Sequence, residues 1–417
     1  MEQTQTKEGT IMPYHTLRAL HAQVDRAEYD DIRAERADGA LTLKTGVVFQ
    51  NDAAREELFL VEFPDLSVLQ TQILDLDREI KSVMRRLPKI AYQKYIHELL
   101  IAELSSTNAI EGVRSTRKEL DAALQAAKAP ASTAPKRFRE MARLYLGLED
   151  YHPSFPTQVI DVRELYDALV GDEVKKSDQP DGEMFRADRV SIVDEHGQEI
   201  ATGVTPETAI VDMLRQMIAL SQSMWPKLYK AFAMHYIFEA IHPFYDGNGR
   251  LGRFLLAISL RDEHISLPSI FAFSHEITER RRKYYSAFTQ VQHLLNHGEL
   301  SFFVYELLKV FYEGQKGSFA DLYAKEQALT IYEKYFTDSL SPSLAPLAAL
   351  VAQASLFSTG EGITLDELTE AVAYPASKQT IRKRMSDLQE QGVIKRIGSR
   401  PLRFLLSDET RTKVERT

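Results

Sequence analysis

The sequence predicts a mainly α-helical protein with one small β-hairpin and a compact α+β module at its C-terminal end. Three observations lead there. Apolar residues recur at intervals of three and four, with charges between them, through most of the chain. Short β-prone runs bounded by turn residues stand out between Val190 and Val204 and again after Gly392. Hydrophobic residues make up 44% and charged residues 27% of the 417, the balance of a globular protein with buried cores in two or three domains.

Taken in order, residues 66–87 place Leu69, Ile73, Leu76, Ile80 and Val83 on one stripe, and the pattern stops before Pro88. Residues 92–104 form a second amphipathic stretch, followed by the polar Ser105, Ser106, Thr107 and Asn108. Residues 120–128 read as helix, 129–135 as a Pro- and Ala-rich loop, and 136–150 and 160–170 as further helices. The hairpin pairs 190–193 with 199–202 around a turn at 194–198. Thr205 is suited to cap the next helix, with Pro206 as its first residue. Helices then cover 209–222, 227–240, 322–339 and 344–356. These elements divide the chain into a helical N-terminal region (1–87), a central core (88–317) and a helical connector with its terminal module (318–417).

Composition excludes several function classes. Formal net charge is −9, so a polyanion would need a local basic patch. Cysteine is absent, which removes disulfides, thiolate metal sites and cysteine nucleophiles and fits a reducing compartment. Residues 1–12 lack the layout of a secretory signal, and no apolar run is long enough for a membrane span. The expectation is a cytoplasmic protein with no membrane contact.

The chemistry concentrates in one stretch, from His242 through Pro243, Phe244, Tyr245, Asp246, Gly247, Asn248, Gly249, Arg250, Leu251 and Gly252 to Arg253. An apolar helix must end near Pro243. Gly247 and Gly249 allow a tight turn around Asn248, and a new helix begins at once. Free N–H groups and the dipole at that helix start make a phosphate site. Arg250 and Arg253 are three apart, on one face of the first turn, where cations oppose the dipole unless a polyphosphate neutralises them. Asp246 offers an oxygen ligand suited to Mg²⁺. His242 can accept a proton from an attacking hydroxyl. The combination calls for phosphoryl or nucleotidyl transfer. A zinc alternative uses His235, Glu239 and His242 at spacings of four and three, but Pro243 makes His242 a helix end rather than a mid-helix ligand.

This stretch resembles the signature of the Fic family at every fixed position. The resemblance implies a helical Fic core with a β-hairpin flap, and transfer of AMP from ATP to a Tyr, Ser or Thr hydroxyl on a target protein or on itself. In that scheme His242 is the general base and Asp246 holds Mg²⁺. Gly247, Asn248 and Gly249 hold the α-phosphate, Arg250 and Arg253 take the β- and γ-phosphates, and Phe244 anchors the loop. The choice of ATP rests on the resemblance, since a phosphate site does not read the base. Thr107, Glu111 and Gly112 resemble the family's inhibitory motif, in which the glutamate pairs with the second signature arginine, here Arg253. The hairpin residues Val190, Ser191, Ile192, Val193, Gly203 and Val204 fall where the family's target-binding flap lies. Gly182 to Arg186 resembles its lead-in loosely.

The terminal module resembles a winged helix-turn-helix. A helix at 363–368 and a turn at 373–375 lead into a basic helix at 377–391, and runs at 392–396 and 402–405 form a two-stranded wing. Between Lys378 and Arg403 there are eight basic residues against two acidic ones. Ser377, Lys378, Gln379, Arg382, Lys383 and Arg400 are candidate nucleic-acid contacts, and the same surface would suit docking to a protein. A homodimer is compatible with the sequence. Two other functions fit the same residues: removal of AMP from a modified protein, and nucleotide sensing by a DNA-binding regulator with little transferase activity.

Overall fold

The computed structural model describes residues 14–50, 55–128, 137–193, 197, 199–372, 376–398 and 401–415. Two short helices open the fold, α1 (Leu17–His21) and α2 (Arg26–Asp38). Thr16 and Asp25 cap them by accepting from the N–H groups of Ala19 and Glu28. An antiparallel hairpin follows, β1 (Thr42–Gln50) with β2 (Arg55–Val61), with Thr42 opposite Val61 at one end, Gln50 opposite Arg55 at the other and a register shift between Lys44 and Val48. The expectation of a purely helical region over 1–87 is thereby corrected. The reason is that β2 is buried on both faces. Leu58 and Leu60 enter the main core, while Phe59 and Val61 close a satellite core with Leu17 and Tyr29. A continuous apolar run of this kind has no alternation for a reader to find.

The long helices α3 (Pro64–Arg86) and α4 (Lys89–Ile110) come next, separated by Leu87 and Pro88. The stripe from Leu66 through Leu69, Ile73, Ile80 and Val83 is buried as the periodicity requires. α4 runs on through Ser105 to Asn108, polar residues expected to follow the helix; Ser106, Thr107 and Asn108 are buried in it rather than exposed to solvent. The segments expected at 120–128, 136–150 and 160–170 appear as α5 (Arg117–Lys128), α6 (Arg139–Gly147) with a 3₁₀ turn after it, and α7 (Val159–Val170). The loop expected at 129–135 lies outside the described residues.

β3 (Ser191–Val193) and β4 (Glu199–Thr202) form the central hairpin, with Ser191 opposite Thr202 and Ile192 opposite Ala201. Of its turn, only Gly197 is described. α8 (Glu207–Ser221) then starts one residue later than expected, with Pro206 rather than Thr205 in the capping position. The Glu207 carboxylate instead accepts from the N–H groups of Glu183, Met184 and Phe185 at 2.9, 2.7 and 2.8 Å, tying down the segment before the hairpin.

α9 (Lys227–Ile241) and α10 (Asn248–Asp262) form the centre of the molecule. Nearly every residue of both is buried, as befits helices packed on all sides. α11 (Leu267–Phe271), α12 (Phe273–Glu279) and α13 (Arg281–Gln292) wrap this pair. α14 (Ser301–Ser339) packs along α3 and also against α9 and α12. It runs unbroken across residue 318, so the boundary expected there falls inside one helix. Val304, Leu307, Leu308 and Phe311 fill the central core from its first half, and Leu322 and Phe336 are equally buried in its second.

α15 (Ala345–Phe357) packs on α4 and α14 and leads into the terminal module, made of β5 (Ile363–Thr364), α16 (Leu365–Ala371), α17 (Lys378–Glu390), β6 (Ile394–Ile397), β7 (Arg403–Leu406) and α18 (Asp408–Glu415). Its sheet has three strands in the order β5-β7-β6. The expected two-stranded wing therefore gains β5, where Ile363 pairs with Phe404 instead of starting a helix. Thr364 caps α16 in a reciprocal arrangement with Glu367. The module is bonded directly to α4. Lys94 pairs with Glu367 at 2.9 Å, and Glu98 accepts from the N–H and hydroxyl of Thr359. Among the described residues no helix is long and apolar enough to cross a membrane.

Candidate active site

The site forms where α9 stops and α10 begins. His242 ends α9 in the left-handed region, at φ 52° and ψ 62°, a conformation that strains a residue with a side chain. Three contacts hold it there. The His242 carbonyl accepts from Arg186 Nε at 2.7 Å, its N–H donates to Phe238 O at 3.0 Å, and its Nδ1 lies 3.2 Å from Glu239 O. A carbonyl can only accept, so Nδ1 carries the proton and Nε2 keeps its lone pair. Burial pushes the His242 pKa down to about 4, against the smaller opposing pull of the Glu239 bond and the Glu111 charge. The imidazole is therefore neutral at physiological pH.

Arg186 has a larger part than its loose motif suggested. Its side chain is fully buried and donates to the carbonyls of His242, Asp188, Val204 and Ile241. It thereby binds the base of the hairpin to the end of α9. A Cβ at Gly203 would come within 2.4 Å of this guanidinium, so glycine is required beside it. Gly203 N–H also donates to Val190 O, and Val204 N–H to Ile241 O. Of the expected flap residues, Ser191 is exposed and Val190 and Ile192 are half-buried.

The loop after His242 is pinned from inside. Phe244 is fully buried and stacks on Tyr166, with ring centroids 3.6 Å apart. Asn248 has a bracing part as well. Its side chain accepts from Phe244 N at 3.0 Å and donates to Phe244 O at 2.7 Å, so it braces the loop. The backbone N–H groups of the first three residues of α10 have no carbonyl partner inside the helix, which makes that end of the helix suited to an anion. That helix starts at Asn248. Of the two glycines flanking Asn248, Gly247 alone takes a positive φ, at 84°. Gly249 serves differently: a Cβ there would lie 2.1 Å from Glu111 Oε1.

Both signature arginines are buried and each already has a carboxylate. Arg253 donates from Nε to Thr107 Oγ1 at 2.8 Å, and from one terminal nitrogen to Thr107 O at 3.0 Å and Glu111 Oε1 at 2.8 Å. Thr107 and Glu111 thus face the same way, as their spacing predicts. Gly112 at φ 70° closes α4: its N–H donates to Ala109 O, and Val113 N–H to Asn108 O. Arg250 pairs with Glu173 Oε2 at 3.0 Å, a partner the sequence did not reveal. Its Nε is buried and has no hydrogen-bond partner among the described residues. Arg253 thus has the Glu111 partner that the resemblance implied, while Arg250 has a carboxylate partner, Glu173, that was not expected.

Asp246 stands 3.9 Å from Arg250 with its side chain 43% exposed, beside the start of α10. A single accessible carboxylate next to an anion site fits Mg²⁺, which keeps waters and substrate phosphates as its other ligands. The zinc alternative loses its geometry, because His235 is buried between Tyr284 Oη, at 2.9 Å, and Gly252 O, at 3.3 Å. Glu239 beside it is pushed up to about 8 by burial and is protonated at neutral pH.

Of the terminal-module candidates, Ser377, Lys378, Gln379, Arg382 and Lys383 all lie exposed along α17. The Ser377 hydroxyl caps that helix by accepting from Thr380 N–H, and Lys378 pairs with Asp366. Arg400 lies outside the described residues.

Residues 156–260 match the model of the Fic/DOC family, a span that takes in α7, the hairpin, α8, α9 and most of α10. Three solved structures are similar to this chain. A Fic family protein from Desulfovibrio desulfuricans G20 shares 20% identity over 81% of this chain and 96% of its own, with a TM-score of 0.48. A Fic domain containing signaling protein from Bacteroides thetaiotaomicron VPI-5482 shares 14% over 62% of this chain and 95% of its own, with a TM-score of 0.39. Fic-1 from C. elegans shares 20% over 62% of this chain and 73% of its own, with a TM-score of 0.38.

Proposed function

We propose that this chain is an autoinhibited protein adenylyltransferase, which moves AMP from ATP onto a Tyr, Ser or Thr hydroxyl and is held off by Glu111. One observation carries the reading. The donor set built at the start of α10 already holds an anion, the Glu111 carboxylate, seated against Gly249 and bonded to Arg253. A site that binds this carboxylate has the charge and room for a phosphate oxygen once Glu111 leaves.

In the reaction, the target hydroxyl gives its proton to His242 Nε2 as its oxygen attacks the α-phosphorus. The bond from that phosphorus to the bridging oxygen breaks, and pyrophosphate leaves with the electron pair. The N–H groups of α10 and Arg250 bind the phosphates, and Arg253 joins them when freed. Mg²⁺ at Asp246 would offset the negative charge of the polyphosphate. The hairpin offers a strand edge on which an extended target segment can pair, and Arg186 keeps that edge in register with His242. The exposed basic face of α17 supports docking of the terminal module to DNA or to an acidic protein surface.

Incubation with ATP labelled at the α-phosphate and with Mg²⁺ tests the reading. The label should enter protein, the chain itself included, and label at the γ-phosphate should not. Label from the γ-position alone would point to a kinase and overturn the proposal.

The base should also leave a signature in pH. Because the pKa of His242 is lowered, its base form persists until the pH falls to about 4. In the Glu111→Gly variant kcat/KM should then be flat on its acid side from about pH 8 to 5.5. Removing the Glu111 charge moves the limb further down, since that charge raises the pKa. A limb near 6.5, the ordinary imidazole value, would contradict a buried neutral base.

A further inference from the structure

We propose that His97, Asp121 and Glu361 form a second metal site, for a divalent transition ion such as Zn²⁺, that fastens the terminal module to α4. Their ligand atoms all lie within 4.8 Å of one another. The three residues come from segments far apart in sequence: α4, α5 and the turn before β5.

Hydrogen bonding alone accounts poorly for this cluster. Both carboxylates converge on the same imidazole nitrogen, with Asp121 Oδ1 at 2.8 Å and Glu361 Oε1 at 3.5 Å from His97 Nε2. That nitrogen carries a single proton and can satisfy one acceptor well. The second carboxylate shares that nitrogen at the longer distance and lies against Asp121, with its side chain only 15% exposed. A cation in place of the proton would take the nitrogen and both oxygens as ligands at about 2.0–2.2 Å.

The surroundings hold the ligands in place. The His97 side chain is 5% exposed on the rigid α4. Glu361 sits between Gly360 and Gly362, at φ 79° and 64°, and a Cβ at Gly362 would lie 2.4 Å from Phe404 O in β7. The turn therefore cannot shift away without disturbing the module's sheet. Asp121 is 32% exposed and leaves an entry path and a free coordination position for water. One imidazole with two carboxylates suits Zn²⁺ better than Mg²⁺, which avoids nitrogen ligands. His97 lies on the helix that carries Thr107 and ends at Glu111, about 15 Å from the first and about 20 Å from the second along the axis at about 1.5 Å per residue. The cluster is independent of the nucleotide site and of the function proposed there.

Titration of the metal-free, nucleotide-free full chain with Co²⁺ tests the site. One equivalent should bind with the visible ligand-field absorption of a four- or five-coordinate ion, and Zn²⁺ should displace it. His97→Ala and Glu361→Gln, both checked for folding by circular dichroism, should each weaken binding at least about 100-fold. Asp246→Ala should leave the absorption unchanged. Absence of bound Co²⁺ at about 1 mM, a signal undiminished in both cluster variants, or a signal lost in Asp246→Ala would overturn the proposal.

Discussion

His242→Ala in the Glu111→Gly background is expected to lower AMP transfer about 10²- to 10⁴-fold, the range a positioned general base contributes, while nucleotide affinity stays within about threefold. The separation follows from where the parts sit. The phosphate-binding groups belong to α10 and its arginines, whereas His242 belongs to the end of α9 and presents Nε2 through its Nδ1 bond to Glu239 O. Alanine at φ 52° is strained, so His242→Asn, which tolerates the left-handed region, supplies the control for a backbone effect. Single-turnover transfer and isothermal titration with ATP read the two quantities. Transfer retained in both variants would remove His242 from its role. Affinity lost with transfer would make it a binding residue.

Glu111→Gly is expected to raise transfer by about 5- to 150-fold, the range of a coupling of 1–3 kcal/mol between two sites. The same carboxylate that occupies Arg253 also supports the fold. Removing it leaves a buried guanidinium with Thr107 as its one hydrogen-bonded partner among the described residues, which costs up to about 3 kcal/mol because the Glu111 side chain is 24% exposed rather than fully buried. The variant should therefore melt a few degrees lower, and ATP with Mg²⁺ should raise its Tm more than that of the parent chain. Glu111→Ala, which does not add backbone freedom next to Gly112, should reproduce both effects. An unchanged transfer rate in both variants would show that the Arg253 contact does not restrain the enzyme.

What the sequence made legible was local chemistry. The sequence from His242 to Arg253 marks the end of one helix and the start of the next, because proline, glycine and the arginine pair each dictate backbone or charge over a few residues. The facing of Thr107 and Glu111 followed from a four-residue spacing. Tertiary facts stayed hidden. Glu173 reaches Arg250 across 77 positions with no motif around it. Arg186 binds four carbonyls whose convergence no local pattern encodes. Asn248 turned inward because Phe244 is stacked beneath it, leaving unpaired backbone groups to satisfy. Helix α14 passed unnoticed across residue 318, since its two halves serve different neighbours while the backbone continues.

The most direct measurement is a crystal structure of the Glu111→Gly chain with Mg²⁺ and a non-hydrolysable ATP analogue. The account predicts the triphosphate along the first turn of α10, with its terminal phosphate on Arg253, the ion at Asp246 and the α-phosphorus within reach of a hydroxyl facing His242. A nucleotide bound elsewhere, or a first turn of α10 that stays closed without Glu111, would contradict it.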